Sequence, residues 1–211
     1  MNAISFGALC FSSLFTVIDP LAVMPVFASL TSGKSKQEAR RYAAKAVLVA
    51  FGVLLVFALS GAALFRLFGI TVEAFRIAGG LVFMLIGLPM LTGSAAAHGQ
   101  PPAEGDDPSV VPLGLPLIAG PGAITTTTIL MGQAEAPWLS AVFFVALVAV
   151  LLATFALLLL SPWALSVIGK SGLLLVTKVM GLIVMVIGVQ FIIDGVRPVA
   201  VEILQSVTAR G

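Results

Sequence analysis

The chain has 211 residues, 60% of them hydrophobic and only 9% charged, with a formal net charge of +2. Its mean hydropathy is +1.17. A soluble domain carries about 25% charged residues, so this composition excludes a water-clothed globule and leaves an integral membrane protein. The weak positive balance gives no reason to expect a nucleic-acid partner, because membrane proteins are often mildly basic through their cytoplasmic loops. The single cysteine, Cys10, makes neither an internal disulfide nor a metal site, and it reads as a small apolar helix residue. No cofactor or metal is expected.

A spanning helix needs about 20 apolar residues. The first apolar run, Ala3 to Leu30, is longer than that and holds Asp19, Pro20 and Pro25. No Lys or Arg precedes Lys34, so the start lacks the positive region of a cleavable signal peptide and is expected to be retained. Thr31 to Lys45 is a loop and helix start carrying Lys34, Lys36, Arg40, Arg41 and Lys45. The second span is Ala46 to Phe65, ended by Arg66 and a turn at 69–73. The third runs from about Phe75 to Thr92. A polar stretch rich in Gly, Pro and Ala, Gly93 to Ser109, reads as a flexible linker and contains His98. The fourth run, Val110 to Met131, is interrupted by Pro112, Pro116 and Gly120-Pro121-Gly122. The fifth spans Trp138 to Leu160 and stops at Ser161-Pro162. The sixth spans about Ser171 to Ile193 and stops before Asp194-Gly195.

Lys and Arg set orientation. Five lie between the first two spans, which places that loop in the cytoplasm and both termini outside. Lys170 and Lys178 agree; Arg66, Arg76, Arg197 and Arg210 fall on the outer side.

Sliding the chain on itself by 101 residues aligns Pro20 with Pro121. The same offset aligns Gly80, Leu81, Met84, Ile86 and Gly87 with Gly181, Leu182, Met185, Ile187 and Gly188. This is a three-plus-three repeat. An odd number of spans per repeat makes the second copy enter from the opposite side, so the halves are expected to be inverted, as in many secondary transporters. The expected fold is an all-α membrane protein of six transmembrane helices in two inverted three-helix repeats. Its parts are residues 1–93, a cytoplasmic linker 94–109 and residues 110–211.

Corresponding interruptions in the two halves point to a binding site near the bilayer midplane. Proline removes an amide donor, and glycine frees the backbone. Helix amide ends suit a carboxylate and carbonyl ends suit an ammonium, so two facing breaks can receive a zwitterion. The candidate binding residues are Asp19, Pro20 and Leu21 at the first break. At the second they are Gly120, Pro121, Gly122, Ala123, Thr125 and Thr126. Pro25 and Pro116 are further helix breakers.

The motifs Asp19-Pro20 with Pro25-Val-Phe27, Ala74-Phe-Arg-Ile-Ala-Gly-Gly80, and Pro116-Leu-Ile-Ala-Gly-Pro-Gly-Ala-Ile-Thr-Thr126 resemble those of the MarC family, whose members include small neutral amino acid exporters. The resemblance covers nearly the whole chain. It implies six spans with inverted halves, discontinuous first and fourth helices, and a central site for glycine, alanine or serine. Ala22 and Val23 stand where the family usually has a glycine and often an asparagine, so the first break is expected to be tighter and to lack one polar contact.

An acid deep in a span is costly and usually functional. Asp19 has three roles open to it: binding an ammonium, carrying a proton, or accepting backbone amides at the break. Of the hydroxyls Thr125 to Thr128, one or two are expected to reach a ligand while others bond back to their own helix. Ser12, Ser13 and Thr16 read as helix–helix contacts, and Gln190 as an amide seeking a neighbouring helix. Arg76 and Lys178 are expected to snorkel, and Asp194 to sit at the interface. The glycines of the third and sixth spans fit close packing.

The chain has no phosphate-binding G-x-x-x-x-G-K-[ST] pattern, no histidine in a span and no second acid at the depth of Asp19. The expectation is therefore no enzyme. It is a secondary transporter of small neutral amino acids in the bacterial cytoplasmic (inner) membrane, acting as an exporter, with lipid and a proton or other coupling ion as partners. The alternative is a channel, or an exporter of another small solute or drug.

Overall fold

The protein is described by a computed structural model that covers residues 2–92 and 109–208. The expected linker and His98 therefore lie outside the described residues, apart from Ser109. Ser109 is buried and opens the next helical segment.

All regular structure among the described residues is helical. Helix α1 spans Ala3–Ile18 and starts on Asn2, whose side-chain oxygen accepts from the Ser5 amide at 2.8 Å. Its buried residues Phe6, Cys10, Leu14 and Ile18 recur every four positions and form one face. Helix α2 spans Pro20–Leu30, and together the two provide an apolar span over Ala3–Ala28. Helix α3, Lys36–Leu67, begins in a capping box. The Glu38 carboxylate accepts from the Ser35 amide at 2.8 Å, and the Ser35 hydroxyl accepts from the Glu38 amide at 3.2 Å. The Lys34 ammonium stands 4.8 Å from the centre of the Tyr42 ring.

Helix α4 is Val72–Thr92, capped where the Thr71 hydroxyl accepts from the Ala74 amide at 3.1 Å. Phe57, Phe65 and Phe75 tie the end of α3 to the start of α4, with ring centres 5.4–6.2 Å apart. The alanines Ala39, Ala43, Ala46, Ala50 and Ala58 give α3 a small-residue face that is buried. Gly114 comes against this face at Ala46 and Val49, the kind of close approach that small residues allow between membrane helices.

The fourth apolar run is broken as expected. A helical segment at Ser109–Ile118 meets helix α5, Pro121–Gly132, at an angle of 55°. Within the segment, Val111 (φ −126°, ψ 125°) and Leu115 (φ −140°, ψ 124°) are extended. Each precedes a proline, whose ring disfavours helical geometry at the residue before it.

Helix α6 is assigned as one run, Pro137–Thr208, but it cannot be straight. At about 1.5 Å per residue, Val142 and Phe191 would lie about 73 Å apart. Val142 touches Gly7, while Phe191 reaches Gly122, which also meets Val17. Gly7 and Val17 are only about 15 Å apart along α1, so α6 turns back on itself between Val142 and Phe191. Its two apolar stretches, Pro137–Ser161 and Gly181–Glu202, are each long enough to cross a membrane.

Among the described residues, five helical stretches therefore qualify as spans, and a sixth if the bent pair counts as one. The expected stop before Asp194 is overturned. The helix continues to Thr208, and on its surface the Gln190 amide donates to the Asp194 carboxylate at 2.8 Å. The same bond corrects the expectation that Gln190 would find a neighbouring helix.

Two kinds of contact organise the bundle. The broken first span packs on α6, and the broken span at 109–132 packs on α3. Between α4 and α6, Gly80 lies against the Gly188 carbonyl and Gly87 against the Gly181 carbonyl; Gly195 approaches the Glu73 carbonyl. Rising numbers on α4 meet falling numbers on α6, so these two helices run antiparallel.

Candidate functional site

Asp19 is the junction of α1 and α2. It is half-buried and left-handed, at φ 44° and ψ 67°, a conformation that Asp and Asn tolerate better than most residues. Its amide donates to the Phe15 carbonyl at 3.0 Å, closing α1. Its carbonyl accepts from the Ala22 and Val23 amides at 3.0 and 3.3 Å, and its carboxylate accepts from the Ala22 amide at 3.3 Å. Asp19 thus ends one helix and starts the next. Pro20 has no N–H to offer the Thr16 carbonyl one turn back, which leaves that carbonyl without its usual helical partner. Ala22 and Val23 contribute their amides to the junction, and Val23 is buried in the core.

The second break is built differently. Gly120 is extended (φ −76°, ψ 173°) and makes no side-chain cap, and Pro121 opens α5. The amides of Gly122 and Ala123, in the first turn, have no acceptor within the helix, and they form its positively polarised end. Proline at this position costs no hydrogen bond.

The two breaks are neighbours. A side chain at Gly122 would strike Val17, at 2.6 Å, and the Phe191 ring, also at 2.6 Å. The Pro121 ring packs on Gly79, and Gly120 borders Phe83. Phe83 and Phe191 meet edge to face with centres 5.6 Å apart, so an aromatic pair from α4 and α6 lies beside Gly120 and Gly122. Sequence reasoning missed this pair, since two phenylalanines among many carry no positional signal.

The structure thus brings Pro20, Gly120, Pro121, Gly122, Ala123 and Thr125 into the interior with Asp19 at its edge, while Leu21 is 60% exposed. Pro25 is buried and Pro116 half-buried.

The four threonines divide by face. Thr128 donates to the Ile124 carbonyl at 3.0 Å, which is the expected bond back to its own helix. Thr125 and Thr127 are buried, at 1% and 0% exposure, and their hydroxyls have no partner. A buried unpaired hydroxyl costs about 1–3 kcal/mol, so these two call for a physical explanation. Thr126 faces a cavity of about 540 Å³ between α1 and α5.

The polar wall of that cavity is Ser12, Ser13, Thr16, Thr126 and Gln133, and its apolar wall is Leu9, Val17, Ile129 and Leu130. Ser12, Ser13 and Thr16 were expected between helices; they line this cavity instead, with Ser12 and Thr16 exposed. Ser12 also donates back to the Leu9 carbonyl at 3.2 Å. The available signal was spacing: Ser12 and Thr16 share one helix face, as do Thr126, Ile129 and Gln133. No acidic or basic side chain lines the cavity, and among the described residues no cluster of His, Cys, Asp or Glu could hold a metal ion.

A multi-pass helical membrane protein whose interrupted spans meet in the interior is the class that this fold and site define. The chain belongs to the MarC family of integral membrane proteins, which matches residues 4–200. It is 36% identical to a UPF0056 membrane protein of Methanocaldococcus jannaschii, over 92% of this chain and 97% of that one. It is 36% identical to a UPF0056 membrane protein of Aquifex aeolicus, over 91% and 94%. It is 32% identical to the UPF0056 membrane protein YhcE of Escherichia coli, over 89% and 90%. These names say membrane protein and name no substrate. No solved structure matches the chain. Family and fold together make it a multi-pass integral membrane protein.

Proposed function

We propose that this protein is a secondary transporter that exports small neutral amino acids of the glycine, alanine and serine class across the bacterial cytoplasmic membrane by alternating access. The observation that carries this reading is the meeting of the two breaks. Gly122, in the first turn of α5, lies against Val17, in the last turn of α1. An amide-rich helix start and a carbonyl-rich helix end therefore stand side by side. The first suits a carboxylate; the second, with the Asp19 carboxylate at its edge, suits an ammonium. Gly120, Pro121, Gly122, Ala123, Thr125 and Thr126 would hold the acid end, and Asp19 and Pro20 the amine end. The close approach of Val17, Phe191, Phe83 and Gly79 leaves little room, which favours a small side chain. A proton or other ion would couple transport to a gradient.

The reading includes two inverted halves. Its support is a reciprocal contact. Gly80 and Gly87 correspond to Gly181 and Gly188 across the 101-residue offset, and Gly80 touches Gly188 while Gly87 touches Gly181. One residue meeting its partner's copy while the partner meets the first one's copy is the contact that a two-fold axis between the halves would produce. The broken span at 109–132 packs on α3, the middle span of the first half, and Gly7 of α1 meets Val142 of the Pro137–Ser161 stretch, as such an axis would require. Rocking one half against the other about a fixed central site is the usual consequence.

The test is a panel of amino acids screened for thermal stabilisation of the purified protein, followed by counterflow in vesicles. Stabilisation and saturable, stereoselective flux with glycine, alanine or serine is expected. Absence of both overturns the substrate class, and flux that does not saturate points to a channel.

A further inference from the structure

We propose that the cleft between α1 and α5 is the open half of the permeation pathway, a hydroxyl-lined binding vestibule for a small polar solute without net charge, and that its counterpart between α2 and the Ser109–Ile118 segment is the closed half. The proposal rests on the transporter reading above and assigns it a path and a state. The cleft begins at the breaks, at Val17, and follows α1 back to Leu9 and α5 onward to Gln133, a distance of about 12 Å at helical rise. Hydroxyls at Ser12, Ser13, Thr16 and Thr126 and the Gln133 amide supply donors and acceptors along its length, and Ser12, Thr16 and Gln133 are exposed. Leu9, Val17, Ile129 and Leu130 make the rest of this open wall apolar, so it suits a small solute with both polar and apolar parts and no net charge, and its volume of about 540 Å³ falls in the range of small-molecule sites.

The 101-residue offset locates the equivalent region in the other half. There, Leu113 takes the place of Ser12, Leu117 of Thr16, Pro25 of Thr126 and Ala28 of Ile129. All four are buried, Leu113 completely. One region is open, with hydroxyls set among apolar side chains; its counterpart is packed and apolar at these four positions, and polar and exposed only at its far end, where Ser32 takes the place of Gln133. A carrier whose halves take unequal conformations has this arrangement, with the site reached from one face at a time. The open face is the one at which α1 begins, the outer face in the orientation expected from the basic loop.

Cysteine accessibility tests this. Cys10 is fully buried, so the wild-type chain is the blank. Ser12→Cys, Thr16→Cys and Gln133→Cys are compared with Leu113→Cys and Leu117→Cys in membrane vesicles of known orientation. A charged, membrane-impermeant methanethiosulfonate is applied from each side. The first three should react at least tenfold faster than the last two, from the face at which α1 begins, and modification of Thr16→Cys should block flux. Ser12 and Thr16 are exposed, so these variants should fold; an elution profile matching wild type checks it. Reaction with a lipid-soluble maleimide alone makes the cleft a lipid-facing groove and overturns the proposal, as does cross-linking between copies. Flux that survives modification at Thr16→Cys overturns the pathway but leaves the transporter reading standing. Labelling in the expected pattern without flux of any amino acid supports the cleft and overturns the transporter reading.

Discussion

At the residue scale, Asp19 can be separated into a shape and a charge. Its left-handed backbone and its carboxylate bond to Ala22 are both available to asparagine. Asp19→Asn should therefore melt within a few degrees of wild type in detergent yet transport less, because the negative charge proposed to receive the ammonium is gone. Asp19→Ala should lose about 1–3 kcal/mol of stability, from the strained backbone and the missing cap, and lose transport with it. Equal flux in Asp19→Asn and wild type would leave the residue as a cap alone. Thr125 has the opposite character, with a buried hydroxyl that nothing among the described residues satisfies. Thr125→Val should be neutral or up to about 1–2 kcal/mol more stable, because it removes an unsatisfied group. Transport should fall about fivefold if that hydroxyl meets the substrate. A destabilised Thr125→Val with unchanged flux would give the hydroxyl a structural partner instead.

At the element scale, the contact between α4 and α6 is set by backbone rather than by side chains. A methyl added at Gly188 would stand 2.7 Å from the Gly80 carbonyl oxygen, a backbone atom with no freedom to rotate away. Gly188→Ala should therefore cost about 1–3 kcal/mol as overpacking. Gly52 lies in α3 with nothing within 4 Å of an added methyl. Gly52→Ala should be neutral or stabilising by up to about 1 kcal/mol, from helix entropy alone. Thermal unfolding of the two variants side by side separates packing from propensity. The glycines at 80, 87, 181 and 188 were legible as a repeat, since the same offset recovers all four. Their partners were not legible, because a periodic face says which residues are packed without saying against what. Proline placement was similarly readable: Pro112, Pro116 and Pro121 foretold an interrupted span, while the 55° bend depends on what the two pieces rest upon. The end of α6 went the other way. Asp194-Gly195 looked like a stop, yet the helix continues, with Gln190 and Asp194 paired at i, i+4 on its surface and Gly195 packed against the Glu73 carbonyl, a contact no local pattern announces.

At the scale of the whole molecule, the orientation rests on five basic residues between the first two spans. Six crossings would return both termini to one side. A cysteine introduced at Ser32 should then be labelled by an impermeant reagent only from the cytoplasmic side, and a tag on either terminus only from outside. Termini on opposite sides would mean an odd number of crossings, with the 109–132 pair as a re-entrant loop. Low charge and long apolar runs were sufficient for the membrane, the helical class and the approximate spans, because lipid leaves the backbone no partner but its own helix. The same runs were silent on the two features that shape the candidate site. The meeting of the Asp19 and Gly120–Gly122 breaks, and the cleft between α1 and α5 beside the packed region between α2 and Ser109–Ile118, depend on contacts between residues about eighty or more positions apart. Local patterning dictates what each segment becomes; which segments touch follows from how small and large side chains fit once all the helices are assembled.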